Sequence, residues 1–205
     1  MTFSQRANVG LRKVPSWLVY LVGGAIPFWY LYLAATGGMG VEPINTLERE
    51  LGELAILTLV IVLAVTPFRR LTGISLVMHR RALGLLSFFY VLCHLLVWLV
   101  LDVQDLGRVW ADILKRPYIT IGMAAFVLLL PVAATSNNWS IRKLGPVRWR
   151  RLHQLTYVIS VLGVAHYVMV QKVWEAKPLA YLVIILVLLA TRIELPRRLS
   201  PAEKG

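Results

Sequence analysis

"RRLHQLTYVISVLGVAHYVMV", residues 150–170, is the stretch whose reading decides the fold. Behind a basic edge at Arg150 and Arg151 the run is apolar enough to live in lipid, yet it carries His153 and His166. A hydrocarbon core about 30 Å thick needs about 20 mostly apolar residues per helix. The stretch therefore reads as a membrane span. Lipid cannot solvate an imidazole, so each histidine needs a partner inside the bundle.

Five further stretches share this character. The spans expected are 17–35, 51–68, 82–101, 117–136, 152–172 and 178–195, more than half of the 205 residues. The chain is 58% hydrophobic with a mean hydropathy of +0.69, above the roughly 45–50% apolar content of soluble domains. An all-α integral membrane bundle of six transmembrane helices is expected, forming a single domain over 1–205.

A net charge of +12 would suggest nucleic acid in a soluble protein. Here it reads first as topology, because Lys and Arg collect on the cytoplasmic side of membrane proteins. With the N-terminus inside, sixteen of the 22 basic residues fall on inner segments, including Arg80, Arg81, Arg148, Arg150 and Arg151. Six fall on outer loops, which also hold most of the acidic residues. The bias alternates with each crossing, so both termini are expected to be cytoplasmic and no nucleic-acid partner is implied. Tryptophans at the span ends (Trp17, Trp29, Trp98, Trp110, Trp139, Trp149, Trp174) suit the membrane–water interface. Pro27 and Pro131 predict local bends within spans rather than breaks.

Several function classes drop out. Cys93 is the only cysteine, so an intrachain disulfide or cysteine metal cluster is excluded, and Cys93 itself reads as core packing. There is no Walker loop, no GxGxxG and no internal repeat. A basic start before an apolar run also fits a cleaved signal, but 17–35 is longer than the roughly 7–15 residues of a signal core. The first span is expected to stay. The outer segments, of about 15, 15 and 5 residues, are too short to fold as domains, so the source and destination of any chemistry belong to other molecules.

All four histidines lie in or beside two spans. Both spans run from inside to outside, so depth can be counted from the inner basic edge. His94 lies 13 residues past Arg81 and His166 lies 15 past Arg151. At about 1.5 Å per residue these depths differ by about 3 Å, roughly 20 Å in from the inner edge. Two neutral imidazoles level on parallel helices suit a bis-histidine haem, with one nitrogen from each ring on iron. His153 sits at the inner level, about 20 Å of rise from His166; on an ideal helix the two side chains diverge by about 140°. A packing role for His153 stays open beside ligation. His79, just before the third span, reads as a loop histidine. Glu53 reads as an interfacial residue. The arginines beside His153 are topology signals that could also meet haem propionates or a flavin phosphate.

These residues carry a resemblance. "RRALGLLSFFYVLCH" ending at His94, "KRPYITIG" at 115–122, "ATS" at 134–136 and "LGPVRWRRLHQLTY" through His153, with "AHY" around His166, are similar to the MsrQ family of haem-binding membrane subunits, within the ferric-reductase-like transmembrane group. The resemblance implies a bacterial inner-membrane electron conduit carrying haem b and FMN, with His94, His153 and His166 as haem-iron ligands. It implies quinol or a cytoplasmic flavin reductase as donor. The implied acceptor is MsrP, a periplasmic molybdopterin reductase that repairs methionine sulfoxide, so substrate turnover would fall on the partner. No flavin motif can be assigned to residues here.

Two other classes compete. A stand-alone transmembrane ferric or quinone reductase would share the haems but need no partner, and the short outer segments offer no evident chelate site. A proton-coupled transporter would use the histidines as a relay. Such proteins usually show repeated halves and helices broken at mid-membrane.

Overall fold

The computed structural model describes residues 2–171 and 173–192. The expected end of the last span (193–195) and the tail cations Arg197, Arg198 and Lys204 lie outside the described residues. Within them the chain is all-α, in nine α-helices. Five helical stretches are long and apolar enough to cross a membrane: Ser16–Ala35, Pro43–Thr72, Val77–Val103, Pro117–Ala134 and Asn138–Val170. A shorter apolar helix, Ala176–Ala190, follows. Large apolar side chains are exposed along these stretches, among them Leu21 at 62%, Phe28 at 68% and Val183 at 59%. Water would not tolerate so continuous an apolar surface. This is a multi-pass membrane protein.

Local signals explain where the helices begin and end. α1 (Phe3–Lys13) opens on a capping box, in which the Thr2 side chain accepts from the Gln5 N–H and the Gln5 side chain accepts from the Thr2 N–H. α2 (Ser16–Ala35) runs on through Pro27, as expected. α3 (Pro43–Thr72) has Pro43 in its first turn, where a missing N–H costs nothing, and stops at Gly73 in the left-handed region. A single 3-10 turn (Val77–His79) leads into α4 (Arg80–Leu96), which continues as a π-helical turn over Val97–Val103. α5 (Leu106–Lys115) is capped by Asp105, whose Oδ1 accepts from the Arg108 N–H at 2.7 Å. α6 (Pro117–Ala134), α7 (Asn138–His153), α8 (Leu155–Val170) and α9 (Ala176–Ala190) complete the bundle.

α3 is the central element. Leu59 packs with Leu129, Val132 and Ile159 from α6 and α8. Leu63 meets Val164 and Ile185 from α8 and α9. Ala55 packs with Leu86 and Tyr90 of α4, and Leu47 and Leu51 meet Val97, with half-buried Cys93 beside them. Buried hydroxyls are satisfied as the medium demands: Tyr90 donates to the Gly23 carbonyl at 2.8 Å and Ser87 to that of Ala55 at 3.1 Å.

The outer segments differ from the sequence expectation. The first is shortened because α3 starts at Pro43; its 30 residues rise about 45 Å and overrun the hydrocarbon core. The second is filled by amphipathic α5. Glu53 is a tie rather than a lone interfacial residue: Lys177 Nζ lies 2.6 Å from its Oε1, and the Tyr167 hydroxyl donates to its Oε2 at 3.3 Å. Trp98 points inward and is only 9% exposed. Alternation of span ends cannot report on that, because side-chain direction depends on helix phase.

Candidate functional site

His94 near the end of α4 and His166 near the end of α8 are brought together. Their ring centroids are 6.2 Å apart and their planes cross at 76°. Each ring is anchored by Nδ1 to a main-chain carbonyl of a different helix. His94 Nδ1 donates to the Glu48 carbonyl of α3 at 2.8 Å, and His166 Nδ1 donates to the Tyr118 carbonyl of α6 at 2.7 Å. A carbonyl can only accept, so both Nδ1 atoms carry the proton. Both Nε2 atoms are therefore lone-pair donors, the tautomer a metal-ligating imidazole needs.

The separation is informative. Two metal–imidazole bonds of about 2 Å, plus roughly 1.2 Å from each nitrogen to its ring centre, place coaxial imidazoles at about 6.4 Å. The two rings already stand at that spacing. Two Nε2 lone pairs cannot hydrogen-bond each other, and lipid offers no donor. Two imidazoles of this tautomer at this spacing are a donor set that suits axial ligation of a haem iron.

His153 is not joined to this pair. It stands at the junction of α7 and α8, next to Gln154, whose backbone is still helical, so the helical stretch Asn138–Val170 runs on from it to His166. Its ring stacks on the Trp149 indole at 3.8 Å, and its Nε2 lies 3.1 Å from Thr135 Oγ1. Thr135 Oγ1 donates to the Pro131 carbonyl at 2.6 Å, and the Trp149 indole N–H donates to the Thr135 carbonyl at 2.9 Å. The Trp149 ring is thus turned inward to hold His153, not outward as an interfacial anchor. The turn that permits this is Gly145, at φ +75°, followed by Pro146, so α7 is two short helices meeting at 145. Glycine ends the first and proline opens the second.

His79 is not a loop histidine. It ends the 3-10 turn at 4% exposure, with Nε2 3.4 Å from the Leu11 carbonyl of α1. Asn8 fastens the same helix, donating to the Gly73 carbonyl at 3.0 Å and accepting from the Ser75 N–H at 2.8 Å. His79 therefore belongs to the docking of α1. His79→Ala is expected to leave haem content unchanged and to lower stability by about 1 kcal/mol through the lost hydrogen bond. Loss of one haem equivalent in a pyridine haemochrome assay would instead make His79 a ligand.

Glu48 and Tyr118 enter through their backbone carbonyls. Side-chain identity carries no signal for that role, so sequence reading missed them. Thr135 and Trp149 sit inside stretches quoted for the family resemblance, but no spacing rule ties them to His153.

Comparison with known proteins bears on this arrangement. Residues 51–164 match the family described as ferric reductase like transmembrane component. The protein-methionine-sulfoxide reductase heme-binding subunit MsrQ of Agrobacterium fabrum is 47% identical over 181 residues, covering 88% of this chain and 84% of its own length. The protein of the same name from Brucella anthropi is likewise 47% identical, covering 88% of this chain and 82% of its own. This chain belongs to the MsrQ family. Within the stretch shared with the ferric-reductase-like family lie α4, α6, α7 and most of α8. Residues 165–166 fall just past it, but His166 is packed by elements inside it. In this MsrQ family member two histidines of one tautomer stand together, and a third lies apart from them near the middle of the stretch Asn138–Val170.

Proposed function

We propose that this chain is the haem b-binding electron-transfer subunit of a protein-methionine-sulfoxide reductase system in the bacterial inner membrane. The observation that carries it is the His94–His166 pair, with centroids 6.2 Å apart and both Nδ1 atoms committed to carbonyls. The relatives' description as the heme-binding subunit of protein-methionine-sulfoxide reductase supports the system to which it belongs. Six spans with both termini inside fit the alternating charge, the sixth being built from α9.

Haem supplies reversible one-electron storage; everything else is done by the chain. His94 and His166 would hold iron at the outer level, their rings fixed by the Glu48 and Tyr118 carbonyls. His153 ligates at the inner level, beside Arg81, Arg150 and Arg151, whose guanidiniums suit propionates. Reaching iron through Nε2 requires His153 to release Thr135. FMN enters only through the family resemblance, with Arg148, Arg150 and Arg151 as the inner cations suited to its phosphate. The donor is quinol or a cytoplasmic flavin reductase. The acceptor is a periplasmic molybdopterin reductase, MsrP, where sulfoxide turnover takes place. Because the outer segments are a short connection, α5 and a five-residue link, a haem held by His94 and His166 would have little protein between it and a partner docked there.

The test is a reconstitution. Purified protein reduced by dithionite should be reoxidised, read at the Soret band, when the molybdopterin partner and methionine sulfoxide are both present. It should stay reduced when either is omitted. Reoxidation by ferric chelate alone, at a rate the partner does not change, would favour a stand-alone ferric reductase. A colourless protein would end the redox assignment.

A further inference from the structure

We propose that Gly52 and Gly122 are positioning residues, each uncovering the helix carbonyl that orients an axial histidine. The inference rests on the haem reading above and goes beyond it by assigning what sets the ligand planes. His94 donates to the carbonyl of Glu48, and His166 to that of Tyr118. In both cases a glycine stands four residues later on the same helix, at 52 and at 122. The same register occurs on two different helices, α3 and α6.

Helix geometry explains the spacing. The carbonyl of residue i already accepts from the N–H of residue i+4 and has one lone pair to spare. A donor from another helix must reach that lone pair past the side chain of i+4, whose Cβ leans toward the helix N-terminus, over the carbonyl in question. A Cβ at 52 would sit 3.1 Å from His94 Nδ1 and 3.3 Å from its Cε1. A Cβ at 122 would sit 2.9 Å from His166 Nδ1, 3.0 Å from Cε1 and 3.2 Å from Cγ. Glycine destabilises a helix interior relative to alanine. Here its absent side chain admits an imidazole edge. At 122 the approach is closer than a real Cβ tolerates; at 52 it is tight.

Two consequences follow for the bound iron. Donation from Nδ1–H to a carbonyl raises the basicity of Nε2, which favours the oxidised metal. Two fixed anchors on two helices also lock the ring planes at their observed crossing of 76°, in place of letting each ring rotate about its metal bond.

Gly52→Ala, Gly122→Ala and, as a control, Gly84→Ala test this in the purified full chain. Gly84 lies on α4 with His94, and a Cβ there meets nothing within 4 Å. The readouts are haem content, midpoint potential by redox titration and the low-spin EPR spectrum, whose largest g value reports the angle between ligand planes. Gly52→Ala is expected to keep its haem with a raised midpoint potential and a shifted largest g value. Gly122→Ala should show the larger changes, up to loss of the outer haem with helical circular dichroism preserved. Gly84→Ala should match the parent in all three. Parent-like potential and EPR in both Gly52→Ala and Gly122→Ala would overturn the proposal while leaving the haem assignment standing. A parent protein without haem would bring down the underlying reading instead.

Discussion

His166→Ala protein purified in detergent is expected to lose the low-spin signal of the outer haem almost completely, and His94→Ala is expected to do the same. Each substitution removes one of two axial nitrogens and the hydrogen bond its ring donates to the second lone pair of the Tyr118 or Glu48 carbonyl. Changing a residue that merely supports a metal ligand typically costs 10–100-fold in affinity, so deleting the ligand itself should cost more. The measurement is the Soret and α-band spectrum, dithionite-reduced minus oxidised, scaled to protein by pyridine haemochrome. Retention of a full, unshifted Soret band in both variants would refute ligation by this pair. Helical circular dichroism should change little, because α4 and α8 are held to α3 by apolar contacts that neither ring supplies.

The second large effect is expected from His153→Ala. On the proposed two-level arrangement it removes the inner haem contribution while the outer low-spin spectrum persists. That separation is possible because His153 shares no contact with the His94–His166 pair; its ring is held by Trp149 and Thr135. Haem per protein should fall by one equivalent, and the EPR signal of the outer site should remain at its parent position. If haem content is unchanged and only thermal stability drops, His153 is a packing residue on Trp149.

A good part of the site was legible before any coordinates. Counting from Arg81 and Arg151 placed His94 and His166 at one depth on two parallel spans, and in the structure the two rings meet. That worked because helix rise is nearly constant and basic residues mark a common plane. Counting could not show what His153 touches: Trp149 and Thr135 hold its ring, and the bend at Gly145 and the fold of α6 against α7 bring them there. His79 was misread for a related reason: its partner, the Leu11 carbonyl, lies 68 positions away and has no sequence mark. Position along the chain suits Trp98 and Trp149 to the interface, yet one is buried in the bundle and the other stacks on a histidine.

By itself the sequence determined the class of molecule. Apolar runs long enough to span lipid, an alternating bias of arginine and lysine, and histidines with no water to solvate them leave few alternatives to a helical membrane protein with a buried polar centre. Those properties are sums over many residues, and no single contact can reverse them. Only the tertiary structure decided which nitrogen of each ring is left free and at what angle the two rings cross. That outcome hangs on two backbone carbonyls, at Glu48 and Tyr118. Every residue carries such a group, so only the packing of α3 on α4 and of α6 on α8 could select them.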